Sequence, residues 1–595
     1  MSEISPPFSE ARRPAFPSSG QSRFASRWLA FLLPLLSLLV CLSGSAALPL
    51  IDRDEPRFAE ATREMAERGE WAVPYFNGAY RLDKPPLIYW LMGISFRIFG
   101  QNELGARMPS IVLGALLCAL MFRIGKSFFG LRGGVAAALS SATSLQILIH
   151  GRLAVADMPM VVSVAVAQWA ILRLLEGGKS AWFWVLWIAL GLGFLAKGPI
   201  AWAVPLGTLL LWRFLLWRKP APWGRLRPFP GFVVAVGVVA LWGIPALLFT
   251  HGAFWTQGMG EHVWRRGVEA FDGRPHFWGY YLVSSVLSLF PWSAFLGSVF
   301  VSLRQNYSSR SAFLAAWFLA PFLLFTPYAT QLPHYLLPGL PAFFLLFGQA
   351  AASPDRPGTG SQIVFWAVWS LGLLVGCGSI AATLARPWEP PYEALRAALW
   401  ALGAILLSLC FLALAAKSAL FGETVSSSGS RPPRLLPSLG LSLSVLGLAG
   451  GFWLLGTSLR RIEPAISLQS LWKGLRPGSV FAATGYTEPS LVFYSGRIWA
   501  MDSAEEQTDF FSSRPEPACV LRLNREATLQ DGLRWLFSGR PADRDPSPLP
   551  PSPVASDDPS TKRYRIEGFD SARFSWVVLD VRLRPESAAA PAAPR

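Results

Sequence analysis

The amino-acid sequence predicts an all-α protein that crosses a membrane many times and carries a small α/β domain toward its C-terminal end. Three observations predict it. Of 595 residues, 52% are hydrophobic and only 15% are charged, where a soluble domain averages about a quarter charged. Apolar windows of about 20 residues, enough for a bilayer core, recur through the first three quarters of the chain. After Arg460 the pattern changes to short alternating runs between polar stretches.

The elements follow in order. The Pro/Ser-rich segment before Arg23 reads as disordered. Trp28–Leu50 is longer than a signal-peptide core and lacks a small-residue cleavage site, so it reads as a retained anchor. By length, about 13 segments span. They are Trp28–Leu50, Arg107–Phe128, Gly134–His150, Pro159–Leu175, Ala181–Leu195, Ile200–Leu216, Phe232–Phe249, Phe277–Leu303, Ser311–Thr326, Tyr335–Ala351, Ile363–Leu384, Ala397–Ala416 and Leu436–Leu459. Pro85–Phe99 is apolar but short and follows a polar loop, so it reads as a helix lying in the interface. Beyond Arg460, Ser479–Ala483, Ile498–Ala500, Cys519–Leu523 and Ser575–Leu583 read as strands. Arg540–Thr561 and the Ala/Pro tail read as loop or disorder. The chain thus divides into an N-terminal segment 1–27, a transmembrane domain 28–459 and an α/β domain 460–595.

Charge orients this array. The formal net charge is +16. In a soluble chain that would suggest nucleic acid. Here Lys and Arg gather in the N-terminus and in loops after even-numbered segments, among them Arg123, Lys126, Arg213, Arg218, Lys219, Arg225 and Arg227. This bias places those loops in the cytoplasm, and nucleic acid is not an expected partner. Loops after odd-numbered segments then face outward, as does the α/β domain. The five cysteines are scattered without a CxxC pair, which points to neither a zinc site nor a disulfide framework.

The outward loops hold the residues able to do chemistry. Asp54-Glu55-Pro56-Arg57 reads as a helix start, with an acidic cap and Pro in the first turn, and a cap can still present a carboxylate oxygen to a substrate. Asp157 precedes Pro159 and reads as cap or site acid. Two outward carboxylates suit a base with a positioning group, or a divalent cation with water. Lys84 stands before Pro85-Pro86, which bias it toward extended backbone. Its ammonium would either snorkel to headgroups or bind a phosphate as a point charge. Lys197-Gly198-Pro199 has the same two readings. His262, between Glu261 and Arg265, reads either as a hydrogen-bonded loop residue or, with Asp83, as one half of a metal pair. Tyr335 would lie at the interface, where tyrosine also serves as an anchor.

These pieces resemble the glycosyltransferase-C superfamily, and within it the lipid A 4-amino-4-deoxy-L-arabinose transferases and their protein O-mannosyltransferase relatives. The resemblance rests on Asp54-Glu55-x-Arg57-Phe58-Ala59-Glu60, the run from Asn77-Gly78 to Asp83-Lys84-Pro85-Pro86-Leu87-Ile88-Tyr89-Trp90-Leu91, Arg107-x-Pro109-Ser110, Asp157-Met158-Pro159, Lys197-Gly198 and Leu332-Pro333-x-Tyr335-x-Leu337-Pro338. It implies a polyprenyl-phosphate-linked sugar donor, transfer on the outer face of the bacterial inner membrane, and a periplasmic C-terminal domain. It implies catalytic roles for Asp54 and Asp157, and donor-phosphate binding by Lys84, Arg57, Arg265 and Tyr335. Acceptor contacts would fall to Glu55 and Lys197. The one cofactor suggested is a divalent ion at Asp83 and His262, and where this chain has Asp83 the arabinose transferases have Glu.

The expected function is therefore transfer of a sugar, with inversion, from a polyprenyl phosphate to lipid A or another envelope glycolipid, by a monomer. Transfer to protein hydroxyls is the second reading. A lipid or sugar transporter is the reading from another class. Transport places its charges near the bilayer midplane on broken helices, whereas these charges gather at one surface.

Overall fold

A computed structural model describes residues 20–258, 276–353, 358–384, 393–421, 435–472, 475, 479–501, 518–527, 552–554, 561–570 and 575–584. The expected loop within Arg540–Thr561, the tail and the segment before residue 20 lie wholly or mostly outside these residues. The fold class is the expected one. Eight helices among the described residues are long and apolar enough to cross a membrane, with four shorter apolar helices beside them.

Helix α1 (Gly20–Leu42) ends short of the expected Leu50. Gly44 has φ 74°, and a side chain there would strike the backbone of Phe452. The close approach joins α1 to helix Leu435–Ile462, and Ser43 donates to the Ala449 carbonyl at 2.5 Å. Helix α2 (Glu55–Arg68) and helix α3 (Leu87–Phe99) flank a two-stranded hairpin of β1 (Tyr75–Phe76) and β2 (Ala79–Tyr80). At 13 residues α3 is about 20 Å long, too short to span.

Helix α4 (Glu103–Thr143) is two helices folded back on each other. Gly130 breaks it with φ 77°. Cys118 Sγ lies 3.5 Å from the Ala138 carbonyl, a distance impossible along one straight helix. The sequence separates these as two segments, and the turn falls in the gap between them. Helix α5 (Leu145–His150) and a short loop lead into α6 (Asp157–Leu175), then α7 (Ala181–Lys197), α8 (Ile200–Leu211) and α9 (Pro228–Phe249).

The expected span Phe277–Leu303 is not continuous. Tyr280–Leu289 and Trp292–Gln305 meet at a bend of 106°. Pro291 lies at the break and can donate no helix hydrogen bond. The remaining long helices are Thr359–Leu384, Glu393–Phe421 and Leu435–Ile462, with Pro333–Ala352 before them.

The C-terminal sheet runs in the order β4-β3-β5-β8-β7-β6. Its strands are β3 (Val480–Thr484), β4 (Trp499–Met501), β5 (Ala518–Ala527), β6 (Ser552–Val554), β7 (Lys562–Asp570) and β8 (Ser575–Arg584). The three strands β4, β3 and β5 pair in parallel, and the rest are antiparallel. Helix Pro489–Ser495 makes the crossover between β3 and β4. Four strands were expected. β7 escaped notice because its Arg563, Arg565 and Glu567 dilute the apolar alternation, and β6 corrects the reading of Arg540–Thr561 as wholly irregular.

This domain clasps the loop that follows α1 and the β1–β2 hairpin. Asn77 exchanges two 2.8 Å hydrogen bonds with the Trp499 backbone. Leu50 N–H donates to the Tyr494 hydroxyl at 2.9 Å, and Ser490 N–H donates to Asp52 at 2.7 Å. Asp52, Glu463, Glu488 and Asp570 are all buried around Tyr486. Burial pushes Asp52 and Glu463 well above the usual carboxylate range, and neighbouring acids push the same way. Glu60 on α2 is pushed up to about 8, chiefly by burial and against the attraction of Arg63. Carboxyls raised in the folded state bind more protons there than in the unfolded chain. Their contribution is therefore complete below about pH 4, the unfolded value, and declines as pH rises toward 8. Limited proteolysis from pH 5 to 9 should find the clasp looser at the alkaline end, with Glu60→Gln flattening part of the trend. A clasp that loosens on acidification would contradict this.

Candidate active site

The site is built from the loop between α1 and α2 upward. Asp54 sits at the N-cap position of α2 but makes no side-chain cap bond, and it is exposed. Its carboxylate is therefore not spent on the helix end. One residue on, Glu55 points the other way into the protein. Its two oxygens accept from Arg107 Nε at 2.9 Å and Nη2 at 2.6 Å. They also accept from the backbone N–H of Ile51 at 2.8 Å and of Ala154 at 2.7 Å. Arg107 in turn donates to the carbonyls of Ser45, Leu48 and Pro49 at 2.7, 2.6 and 2.7 Å. Glu55 is thus a buried strut and cannot meet an acceptor, which corrects the role expected of it. The strut binds the loop holding Asp54 to the segment that leads into Asp157.

Asp157 opens α6, but its carboxylate does not cap the helix. It accepts from Lys197 Nζ at 2.5 Å. Lys197 closes α7, whose C-terminal Gly198 has φ 74°. The antiparallel packing of α6 on α7 brings the two together across 40 residues of sequence. Lys197 therefore serves Asp157 before it can serve an acceptor.

Arg57, Asp83 and Lys84 share the other side. Arg57 is half-buried and feels the charges of Arg81, Asp54, Asp83 and Glu488. Arg81 donates to Asp83 Oδ2 at 3.0 Å and to the Tyr89 hydroxyl at 3.0 Å. Lys84 donates to the Asp83 carbonyl at 3.1 Å. Asp83 is thus drawn into holding cations. Among the described residues no group of three or more His, Cys, Asp or Glu side chains is arranged to hold a metal ion. His262 and Arg265, both expected in the site, lie outside the described residues.

The third component comes from the turn Pro333–Gly339 that precedes helix Leu340–Ala352. Tyr335 packs on Phe325 with ring centroids 4.7 Å apart. His334 beside it faces His150, centroids 5.4 Å apart. Lys84, Lys197 and Asp157 all act electrostatically on His334, and Asp54 and Asp157 act on His150. The structure thus brings Asp54, Arg57, Lys84, Asp157, Lys197 and Tyr335 into one neighbourhood from four separate loops. Sequence reasoning missed Arg81, His150 and His334. Two of them stand within runs singled out above, Arg81 just before Asp83-Lys84 and His334 just before Tyr335.

Comparison with known proteins places this arrangement. A family model described as dolichyl-phosphate-mannose-protein mannosyltransferase matches residues 83–248. An undecaprenyl phosphate-alpha-4-amino-4-deoxy-L-arabinose arabinosyl transferase of Pseudomonas fluorescens strain Pf0-1 is 30% identical over 386 residues, 61% of this chain and 67% of the relative. Its namesake in Pseudomonas aeruginosa strain UCBPP-PA14 is 31% identical over 57% of this chain and 63% of the relative. The chain therefore aligns with about two thirds of the length of these relatives. The crystal structure of ArnT from Cupriavidus metallidurans bound to undecaprenyl phosphate superposes with TM-score 0.70 at 18% identity, covering 95% of this chain and 100% of that one. That likeness establishes the fold, a multi-pass membrane bundle with a C-terminal domain. The aligned length and identity establish the lineage: the chain belongs to the undecaprenyl phosphate-aminoarabinose arabinosyl transferase family of membrane glycosyltransferases.

Proposed function

We propose that this glycosyltransferase takes a sugar from an undecaprenyl-phosphate carrier and transfers it, with inversion, to lipid A or another envelope glycolipid on the periplasmic face of the inner membrane. The observation that carries the reading is the grouping of Lys84, Arg57 and Tyr335 near two carboxylates at one end of the bundle, next to the apolar helix α3. Departure of the carrier leaves negative charge on phosphate oxygens. Lys84, Arg57 and the Tyr335 hydroxyl stabilise that charge, and electrostatic stabilisation of this kind usually contributes most to catalysis. The first residues of α3 continue directly from Lys84, so a prenyl tail would lie along that helix while Lys84 holds the head.

Asp54 is the exposed carboxylate. For a hydroxyl acceptor it removes the proton as attack proceeds. A phosphate acceptor is already anionic, and Asp54 then orients it. Asp157, locked to Lys197, positions rather than reacts. The mannosyltransferase family match to residues 83–248 favours a protein hydroxyl as the second acceptor class. Relatives named as arabinosyl transferases favour 4-amino-4-deoxy-L-arabinose as the sugar.

Lys84 tests the phosphate role. Lys84→Ala should weaken use of the undecaprenyl-phosphate donor by about 100-fold in kcat/KM, on the order of the 2.7 kcal/mol typical of one lost electrostatic contact to developing charge. Lys84→Arg should restore only part, because a planar fork does not replace a point charge. Unchanged donor kinetics in both variants would show that Lys84 only anchors the loop to headgroups.

A further inference from the structure

His334 and His150 are not explained by phosphate binding or by proton removal. His150 is buried and anchored from behind. Its Nδ1 lies 3.2 Å from the Gln146 carbonyl and 3.3 Å from the Gln146 side-chain Nε2, and Gln146 Oε1 accepts from Ser288 at 3.3 Å. Whichever of these contacts sets the tautomer, Nε2 takes the complementary donor or acceptor role. No described residue hydrogen-bonds that nitrogen. His334 is half-buried, and no described residue hydrogen-bonds its ring either.

The surroundings say what the two rings face. His334 lies edge-on to Tyr335, centroids 5.1 Å apart at 88°. Three charges act on it from three elements, Lys84 from the loop before α3, Asp157 from α6 and Lys197 from α7. It therefore lies within electrostatic reach both of Lys84 and of the Asp157–Lys197 pair. A sugar joined to a phosphate held at Lys84 and Tyr335 begins one bond from that phosphate, beside His334. The Lys197–Asp157 bond occupies one ammonium hydrogen and one carboxylate oxygen, and the imidazole adds beside that charged pair a group that carries no charge of its own. A largely neutral imidazole at pH 7 can donate at one nitrogen and accept at the other, which suits a hydroxyl or amine.

We infer that His334, backed by His150, recognises a hydroxyl or amino substituent of the donor sugar and so determines specificity, without binding the phosphate. The inference rests on the polyprenyl-phosphate donor proposed above. The probes are undecaprenyl phosphate without sugar and undecaprenyl phosphate bearing 4-amino-4-deoxy-L-arabinose, titrated against the purified full-length protein. The parent should bind the sugar-bearing lipid more tightly. His334→Ala should reduce that preference about tenfold, the scale of one lost hydrogen bond, and leave affinity for the bare lipid within about twofold. His334→Asn should recover part of the preference, while Lys84→Ala should weaken both lipids together. Equal weakening of both lipids by His334→Ala, or no change in either, would overturn the inference. So would a parent that binds both lipids equally, although the donor reading would survive. A parent that binds neither lipid would remove the donor reading and the inference with it.

Discussion

Replacing Arg107 by alanine is expected to destabilise the protein by about 3–5 kcal/mol, the usual result of stripping one partner from a buried ion pair. Arg107 is fully buried and spends its guanidinium on Glu55 and three backbone carbonyls. Its loss leaves Glu55 as an unpaired charge at 1% exposure, and strands the carbonyls of Ser45, Leu48 and Pro49 as well. Whole domains are stable by only about 5–15 kcal/mol, so most of the margin would go. Glu55→Gln should cost less, since the remaining amide oxygen still accepts from one of the two backbone N–H groups and one Arg107 N–H, no unpaired carboxylate is left, and Arg107 keeps its three carbonyls. Thermal unfolding in detergent would rank the variants. Arg107→Ala within about 1 kcal/mol of the parent would show that the strut does not hold the loops.

Asp54→Asn is expected to abolish transfer, by 100-fold or more in kcat, with the fold intact. An absent general base typically costs about 10²–10⁴-fold. The substitution is nearly isosteric, and the Asp54 side chain makes no cap bond whose loss could unfold α2. Stability should therefore move by less than about 0.5 kcal/mol, as at most surface positions. The two variants separate support from chemistry, since Arg107 fails by unfolding and Asp54 fails while folded. Near-parental turnover of Asp54→Asn at equal protein abundance would remove Asp54 from the reaction. Retained activity toward a phosphate acceptor, with loss toward a hydroxyl acceptor, would identify Asp54 as a base.

Much of the bundle was legible because spanning helices answer to one rule, about 20 apolar residues each. Even the fold-back of α4 was visible, as a gap between two apolar runs around Gly130. The bend at Pro291 was not, because Phe277–Leu303 is apolar throughout and hydropathy is blind to a broken hydrogen-bond ladder. Short polar loops hold the candidate site residues. Asp54, Lys84 and Asp157 stand out because charge is rare in such a chain. Their partners were harder to find, since the Lys197–Asp157 and Arg107–Glu55 pairs are made by tertiary packing over long sequence separations. Glu55 misled for the same reason. Beside Asp54 it looks like a second site acid, but the turn of α2 sends adjacent side chains to different faces. His150 lies in an apolar run where one imidazole gives no periodic signal. The clasp of the C-terminal domain could not be read at all, because Asn77 and Trp499 meet only in three dimensions.

Everything proposed for this site depends on its taking a sugar from a polyprenyl phosphate. The most direct measurement is single-donor turnover by purified protein in detergent or proteoliposomes, with lipid A as acceptor. Undecaprenyl phosphate-4-amino-4-deoxy-L-arabinose would be compared with nucleotide-linked sugars. Transfer is expected from the undecaprenyl-phosphate donor and none from nucleotide sugars, with the Asp54→Asn protein inactive alongside. Comparable turnover with a nucleotide sugar, or no transfer from any undecaprenyl-phosphate sugar across several sugars and both acceptor classes, would contradict it.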